Sequence, residues 1–451
     1  MRIKLRKYFI FLIKYLLTRE IFFPIIVIYV KSNIKNLYQK KDHSIKVLAL
    51  HSFRYLEDLN QLNIRTKLEV LEIKVRTFQI VNILYFSRSK VKGNPLQRNI
   101  EKLLKSEEDK KLFNYQVNFI AKLIRALSKK RVFDAITSCN FSYKIDQIWQ
   151  IAAAKANVPF IPLHKECMKD EIIIDEFTQQ YKNYCYPLNG KKISIHNKNE
   201  KKCLINSGIA IEKQIEITGC ARTDPLFEKF NEKKFTEPEK YITLFSFRHL
   251  LGGYRVPEEN NNHGFVINHS AGAKKFFEKT HAAFAEMAIR NPDWQFIIKP
   301  KFETEWNKYI IEAIEKNLST SVSQIHNLEI TTLYSAQELI RKSRLIFGVN
   351  STAIQESRLE GRPVIIPLFD EAIGIHKDRI YFQKYFDKEF IKASSPEEMI
   401  EIGECIINEN WRPIIPENDI FIEFLGYTDG KSSKRIEDLF IKECKNVKIV
   451  D

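Results

Sequence analysis

From Ile45 onward the chain alternates short, apolar, β-branched runs with longer stretches whose apolar residues recur at helical spacing. The runs Ile45–Leu50, Leu68–Val75, Ile80–Phe86, Val132–Ser138, Pro159–Leu163 and Ile215–Thr218 predict strands. Between them, Val117, Ile120, Leu123, Ile124 and Leu127 predict a helix over 115–130, and a second helix over 145–156 precedes the strand at Pro159. The charged, turn-rich stretch Phe227–Lys240 reads as an interdomain linker. The alternation then restarts with strand Tyr241–Phe247, a polar loop over 252–264, helix Ala271–Arg290, strand Trp294–Lys299 and helix Glu303–Lys316. Strands Leu328–Thr331, Leu345–Val349 and Pro363–Pro367 follow, then helix Pro396–Asn408 and a terminal helix over 434–445. This βα order predicts an α/β protein with two tandem, doubly wound Rossmann-like domains and a cleft between them, with ligands beyond the carboxyl ends of the strands. The expected segments are a basic, apolar helical piece over 1–42, domains over 43–235 and 236–430, and a C-terminal helix over 431–451.

Composition narrows the classes. With 44% hydrophobic residues in 451, each domain can bury a core. Only 14 glycines and 15 prolines exclude collagen-like and low-complexity chains. Seven cysteines without a C-x-x-C pair provide neither a disulfide framework nor a spaced zinc set, so reduced thiols and a cytoplasmic location are expected.

The charge is localised. Residues 1–50 hold 11 Lys/Arg against 2 Asp/Glu, hence +9 of the net +16, and +7 is left for the rest of the chain. No aromatic–basic interleaving accompanies it, so nucleic acid is not an expected partner. The opening MRIKLRKYFIFLIKYLLTREIFFPIIVIYV has two apolar runs broken by Lys14, Arg19 and Glu20, each shorter than the roughly 20 residues a spanning helix needs. An interfacial anchor on the anionic cytoplasmic face of the inner membrane is the leading expectation, with a true span or an ordinary first helix as alternatives.

Chemistry concentrates in Arg344–Phe369. A strand runs into Gly348-Val349-Asn350-Ser351-Thr352, where a helix starts. Asn350 or Ser351 can cap it, Gly348 would let the backbone approach a ligand, and the free amides and positive dipole end favour a phosphate. Glu356, one turn in, could accept hydrogen bonds from ribose hydroxyls. An ordinary strand–cap–helix unit accounts for the same spacing.

The pattern G-x-N-S-T-A-x-x-E-(x)4-G-R-P-V-I resembles the nucleotide-binding segment of GT-B glycosyltransferases, particularly those of bacterial capsule and surface-carbohydrate biosynthesis, and more distantly the glycerophosphate transferases of teichoic acid synthesis. Gly219-Cys220-Ala221-Arg222-Thr223-Asp224 is similar to their G-x-x-R-x-D segment, Ile298-Lys299-Pro300 to their strand ending in Lys-Pro, and Phe424–Arg435 to the tail of surface-carbohydrate proteins. Related capsule enzymes carry Lys-Pro-His-Pro where this chain has Lys299-Pro300-Lys301, so Lys301 replaces an imidazole and no acid/base role survives there.

The resemblance implies a nucleotide-sugar donor on the C-terminal domain, held by Arg248, Lys299, Lys301, Gly348, Asn350, Ser351, Thr352 and Glu356. It implies a glycan or lipid-linked acceptor on the N-terminal domain. There His164 and Glu166 follow a strand and are candidate catalytic acid/base groups, with His51 and Ser52 as second choices. Arg222 and Asp224 are expected to pair at the domain junction. No metal and no cofactor is expected, because no D-x-D-like pair, P-loop or H-E-x-x-H occurs; lysine, arginine and helix amides would stabilise the leaving phosphate. Alternatives are a nucleotide-sugar 2-epimerase and a non-catalytic membrane-associated subunit of polysaccharide assembly.

Overall fold

The computed structural model describes residues 22–38, 45–82, 99–100, 104, 106–247, 255–257, 265–267, 273–301, 305–374, 377 and 380–448. They form two compact units. The first comprises the described residues of Met1–Cys167, Ile174–Asp224 and Glu423–Asp451, and the second those of Met168–Ile173 and Pro225–Ile422.

In the first unit, β1 (Ile34–Asn36), β2 (Ile45–Ala49), β3 (Leu68–Ile73), β4 (Ala135–Ser138) and β5 (Phe160–Pro162) make one sheet in the order β1-β3-β2-β4-β5. All pairs are parallel except the antiparallel edge strand β1. A two-stranded parallel sheet of β6 (Ile193–Ile195) and β7 (Ile215–Ile217) joins it through a bridge between Leu163 and Ser194. Alternation along β2 explains the double winding. Leu48 packs in a core with helices Glu107–Lys129 and Lys144–Ala156, while Val47 and Ala49 pack in another with helices Leu56–Arg65 and Ser432–Lys448.

In the second unit, β8 (Tyr241–Phe245), β11 (Gln295–Lys299), β12 (Leu328–Ile330), β13 (Ser343–Gly348), β14 (Val364–Pro367) and β15 (Ile391–Ala393) form a wholly parallel sheet, ordered β12-β11-β8-β13-β14-β15. Two short strands, β9 (Arg255–Pro257) and β10 (Phe265–Ile267), pair antiparallel. The chain is therefore α/β with two Rossmann-like units, each with helices filling the connections between parallel strands.

Three expectations are corrected. The apolar run starting at Ile80 is not a strand: Val75–Asn82 is a helix that buries Phe78, Ile80 and Val81, and a short apolar run does not distinguish the two states. The expected linker begins as helix Asp224–Asn231, which buries Leu226, Phe227 and Phe230. The expected polar loop over 252–264 contains β9.

The Gly219–Asp224 and Phe424–Arg435 segments meet inside the first unit, and their shared role is packing. Asp224 does not pair with Arg222. Its carboxylate accepts the backbone amides of Ser432 (2.9 Å) and Ser433 (2.7 Å), so it caps the C-terminal helix, while Arg222 turns to Asp58. Gly219 has φ +84°, and a Cβ there would overlap the Ser432 hydroxyl. Arg435 forks onto both oxygens of Asp429 and lies 3.7 Å over the Tyr427 ring. Asp224→Ala leaves two helix-start amides without their acceptor and is expected to cost about 1–3 kcal/mol in denaturant unfolding.

All seven cysteines are free thiols, six of them buried. Among the described residues no helix is long and apolar enough to cross a membrane. Residues 1–21 lie outside the described residues, and so does most of the expected basic helix.

Candidate functional site

The order of the second sheet fixes where its ligand edge lies. The chain leaves β8 toward β11 and β12 on one side and returns to β13 on the other, so the switch point falls between β8 and β13. Phe245, Lys299 and Gly348 are register partners at the carboxyl ends of β8, β11 and β13. Ser246, Lys299 and the Asn350–Thr352 turn thus share one edge.

That turn is built by local chemistry. Asn350 takes φ +51°, and its Oδ1 accepts the Tyr381 amide at 2.8 Å. Ser351 is the N-cap of helix Thr352–Leu359, its hydroxyl accepting the Ala353 amide at 3.2 Å. Asn350, Ser351 and Thr352 are half-buried, so the mouth of the helix reaches solvent. Gly348 is needed for a different reason from the one expected. A Cβ on it would stand 2.9 Å from Ile354 and 3.5 Å from Phe245, so the missing side chain lets the helix close on the sheet rather than admitting a ligand. Glu356 is also corrected: it is buried, and Gln337 donates to its Oε2 at 2.8 Å, so it braces the neighbouring helix instead of presenting a carboxylate to ribose. Lys299 is half-buried and Lys301 exposed. Arg248 lies outside the described residues.

Sequence reasoning missed a polar chain at the same edge. His281 Nδ1 donates to the Phe277 carbonyl at 2.7 Å, which leaves Nε2 to accept the Ser246 hydroxyl at 2.9 Å. Trp306 Nε1 donates to the same hydroxyl at 3.1 Å. Burial pushes the His281 imidazole down from 6.5 to about 4, against the raising effect of the Phe277 carbonyl, so it stays neutral and holds Ser246 in one orientation. The unfolded chain takes up this proton below about pH 6.5, whereas the folded protein does so only near 4. Stability is therefore expected to fall by roughly 3 kcal/mol as pH drops across that window. His281→Gln should flatten that part of the profile in denaturant melts; an unchanged slope would contradict the assignment.

The first sheet has its switch point between β2 and β4. His51, at φ +51°, follows β2 and packs edge-to-face on Phe78 at 4.6 Å. Its Nε2 lies 3.7 Å from Asp146, a fully buried carboxylate neither of whose oxygens accepts a hydrogen bond. Burial pushes the Asp146 carboxyl well up, opposed by Arg54. A proton on His51 would complete an ion pair there. Arg54 lies 4.8 Å over the Tyr143 ring, and its carbonyl accepts Lys165 Nζ at 2.6 Å. Glu166 is exposed, and its charge helps raise the Tyr143 phenol after burial.

His164 follows β5 at the same end of the sheet, but its side chain is enclosed. Its side chain is 1% exposed and its Nε2 lies 3.2 Å from Glu200, with the Tyr181 hydroxyl at 3.4 Å. A ring enclosed in this way cannot reach an acceptor hydroxyl, so its expected acid/base role is corrected. Glu166 and His51 keep their candidacy; Asp146 joins them.

No protein-family model and no curated protein sequence matches the chain. It is similar to the solved UDP-GlcNAc 2-epimerase of Neisseria meningitidis, at 14% identity over 88% of this chain and 99% of that one, with TM-score 0.44. The corresponding enzyme of Methanocaldococcus jannaschii gives 13% identity, the same coverages and TM-score 0.46. The wall teichoic acid polymerase TagF gives 13% identity over 69% of this chain and 72% of that one, with TM-score 0.41. Similarity at this level assigns no activity.

Proposed function

We propose that the protein is a glycosyltransferase that moves a sugar from a nucleotide-sugar donor to a glycan or lipid-linked acceptor in surface polysaccharide biosynthesis. The reading rests chiefly on the register of Phe245, Lys299 and Gly348, which brings a half-buried ammonium and an accessible helix start to one switch point. A leaving nucleoside diphosphate gains negative charge as the glycosidic bond breaks, and fixed amides with a nearby cation stabilise that charge. Thr352, at the positive end of its helix, faces the phosphates; Lys299 and Lys301 supply positive charge, together with Arg248 from the sequence. On the other unit, His51 backed by Asp146 is the general base for the acceptor hydroxyl, with Arg54, Lys165 and Glu166 around the entrance.

A ligand that binds only the folded protein raises its melting temperature. In a thermal-shift screen of CMP, CDP, UDP, GDP and their sugars, at least one diphosphate class is expected to stabilise the wild type. Lys299→Ala is expected to weaken that shift. No shift with any nucleotide would overturn the proposal. Incubating the protein with the stabilising donor alone separates transfer from 2-epimerisation, since an epimer formed without acceptor supports the latter.

The same reading places the protein on the cytoplasmic face of the inner membrane. Helix Phe23–Ser32 buries Ile26, Val27 and Val30 and leaves Ile25 and Ile28 exposed, directly after the basic apolar opening. Binding to vesicles containing anionic lipid, weakened by salt, is the expected outcome.

A further inference from the structure

We propose that Ser246 is a specificity-determining residue of the donor site: its side chain is fixed as a hydrogen-bond acceptor, so it takes a hydroxyl of the nucleotide sugar and turns away the phosphates. The proposal rests on the transferase reading and adds to it which part of the ligand the end of β8 recognises.

The polarity of Ser246 follows from where the hydrogens are. A serine hydroxyl has one hydrogen to give and two lone pairs to fill. His281 Nδ1 lies 2.7 Å from the Phe277 carbonyl, which can only accept, so the ring hydrogen is on that nitrogen. Burial keeps the imidazole neutral, and its bare Nε2 takes the Ser246 hydrogen at 2.9 Å. The Trp306 indole can only donate, and its Nε1 fills one lone pair of the same oxygen at 3.1 Å. Ser246 is left with one lone pair and no hydrogen to offer. Both of its partners are buried, whereas Ser246 itself is half-buried at the carboxyl edge of the sheet. Its amide donates to the Lys299 carbonyl at 3.0 Å, and the next residue, Phe247, stacks on Phe276 at 4.9 Å, so the backbone is held as firmly as the hydroxyl.

A diphosphate oxygen near neutral pH carries negative charge and no hydrogen, so it is repelled by an oxygen that can only accept. A ribose or hexose hydroxyl has a hydrogen to give. A site built to hydrogen-bond such a group discriminates against the analogue lacking it, because the site's own polar atom is then left unpaired. Lys299 and Ser246 therefore divide the ligand between them: the ammonium attracts phosphate and the serine reads a hydroxyl.

Calorimetric titration of the full-length protein tests this with CDP, UDP and GDP, the 2′,3′-dideoxy form of each, and the matching nucleotide hexoses. The quantity read is the factor by which Ser246→Ala weakens each Kd; one neutral hydrogen bond corresponds to a factor of about 3–10. If the hydroxyl belongs to ribose, that loss is expected with the nucleoside diphosphate and absent with its dideoxy form. If it belongs to the transferred sugar, the loss is expected with the nucleotide hexose alone. An equal loss with all three ligands, or no loss with any, would overturn the proposal and leave nucleotide binding by the wild type intact. Failure of the wild type to bind any of them overturns the transferase reading as well. Should Ser246→Ala not fold, Ser246→Cys keeps the side chain's shape with a much weaker acceptor, and the same comparison decides.

Discussion

Replacing His51 by alanine is expected to lower turnover by roughly 10²–10⁴-fold while leaving nucleotide binding unchanged. His51 is the imidazole at the switch point of the first sheet, and the carboxylate behind it has no hydrogen-bond partner. Removing a proton from an acceptor hydroxyl leaves His51 positively charged 3.7 Å from Asp146, and that adjacent charge favours ionisation of a carboxyl that burial otherwise holds up. Asp146→Asn keeps the shape and removes that stabilisation, so it should reproduce much of the loss. The double variant should be little worse than His51→Ala, since the two groups act as one unit. His164→Ala is expected to reduce folding stability through the loss of the Glu200 contact, with no comparable effect on turnover per folded molecule. Normal turnover in His51→Ala would return the assignment to Glu166.

The second large effect is on folding. Gly426 has φ +88°, and a Cβ there would collide with the main-chain carbonyl of His196. No side-chain rotation relieves an overlap with backbone. Gly426→Ala is expected to cost about 3–5 kcal/mol, combining left-handed strain with forced separation of the two segments. A loss of that size can unfold a domain of ordinary stability, which makes insoluble expression or a large fall in melting temperature the expected result. Gly208, also at positive φ (+72°), has nothing within 4 Å of its would-be Cβ, so Gly208→Ala carries the strain alone and should cost less. Equal effects in the two variants would show that packing against His196 is not what Gly426 provides.

The sequence exposes what is local and hides what is assembled. The parallel strands, their helices and the cap at Ser351 are legible because alternation and capping act over a few residues. Gly348 and Glu356 were legible as special positions, yet their purpose was not. A glycine needed for helix–strand packing and a buried carboxylate bracing Gln337 look identical, in one dimension, to ligand contacts. The same holds for Gly219 and Asp224: they mark a junction, but only the fold shows that it receives the C-terminal helix. Asp146, His281, Trp306 and Glu200 carried no local signal. Each sits at helical spacing within an ordinary helix, and each gains meaning from a partner at least 35 residues away in sequence: His51, Ser246 or His164.

Hydrogen–deuterium exchange with and without saturating nucleotide tests the central claim most directly, since it reads the backbone of the turn and helix start that would face the phosphates. With the stabilising nucleoside diphosphate bound, peptides spanning residues 348–354 should exchange more slowly, together with those containing Ser246 and Lys299. Protection confined to the unit containing His51, or a tightly bound nucleotide that leaves the Asn350–Thr352 turn unprotected, would contradict the account.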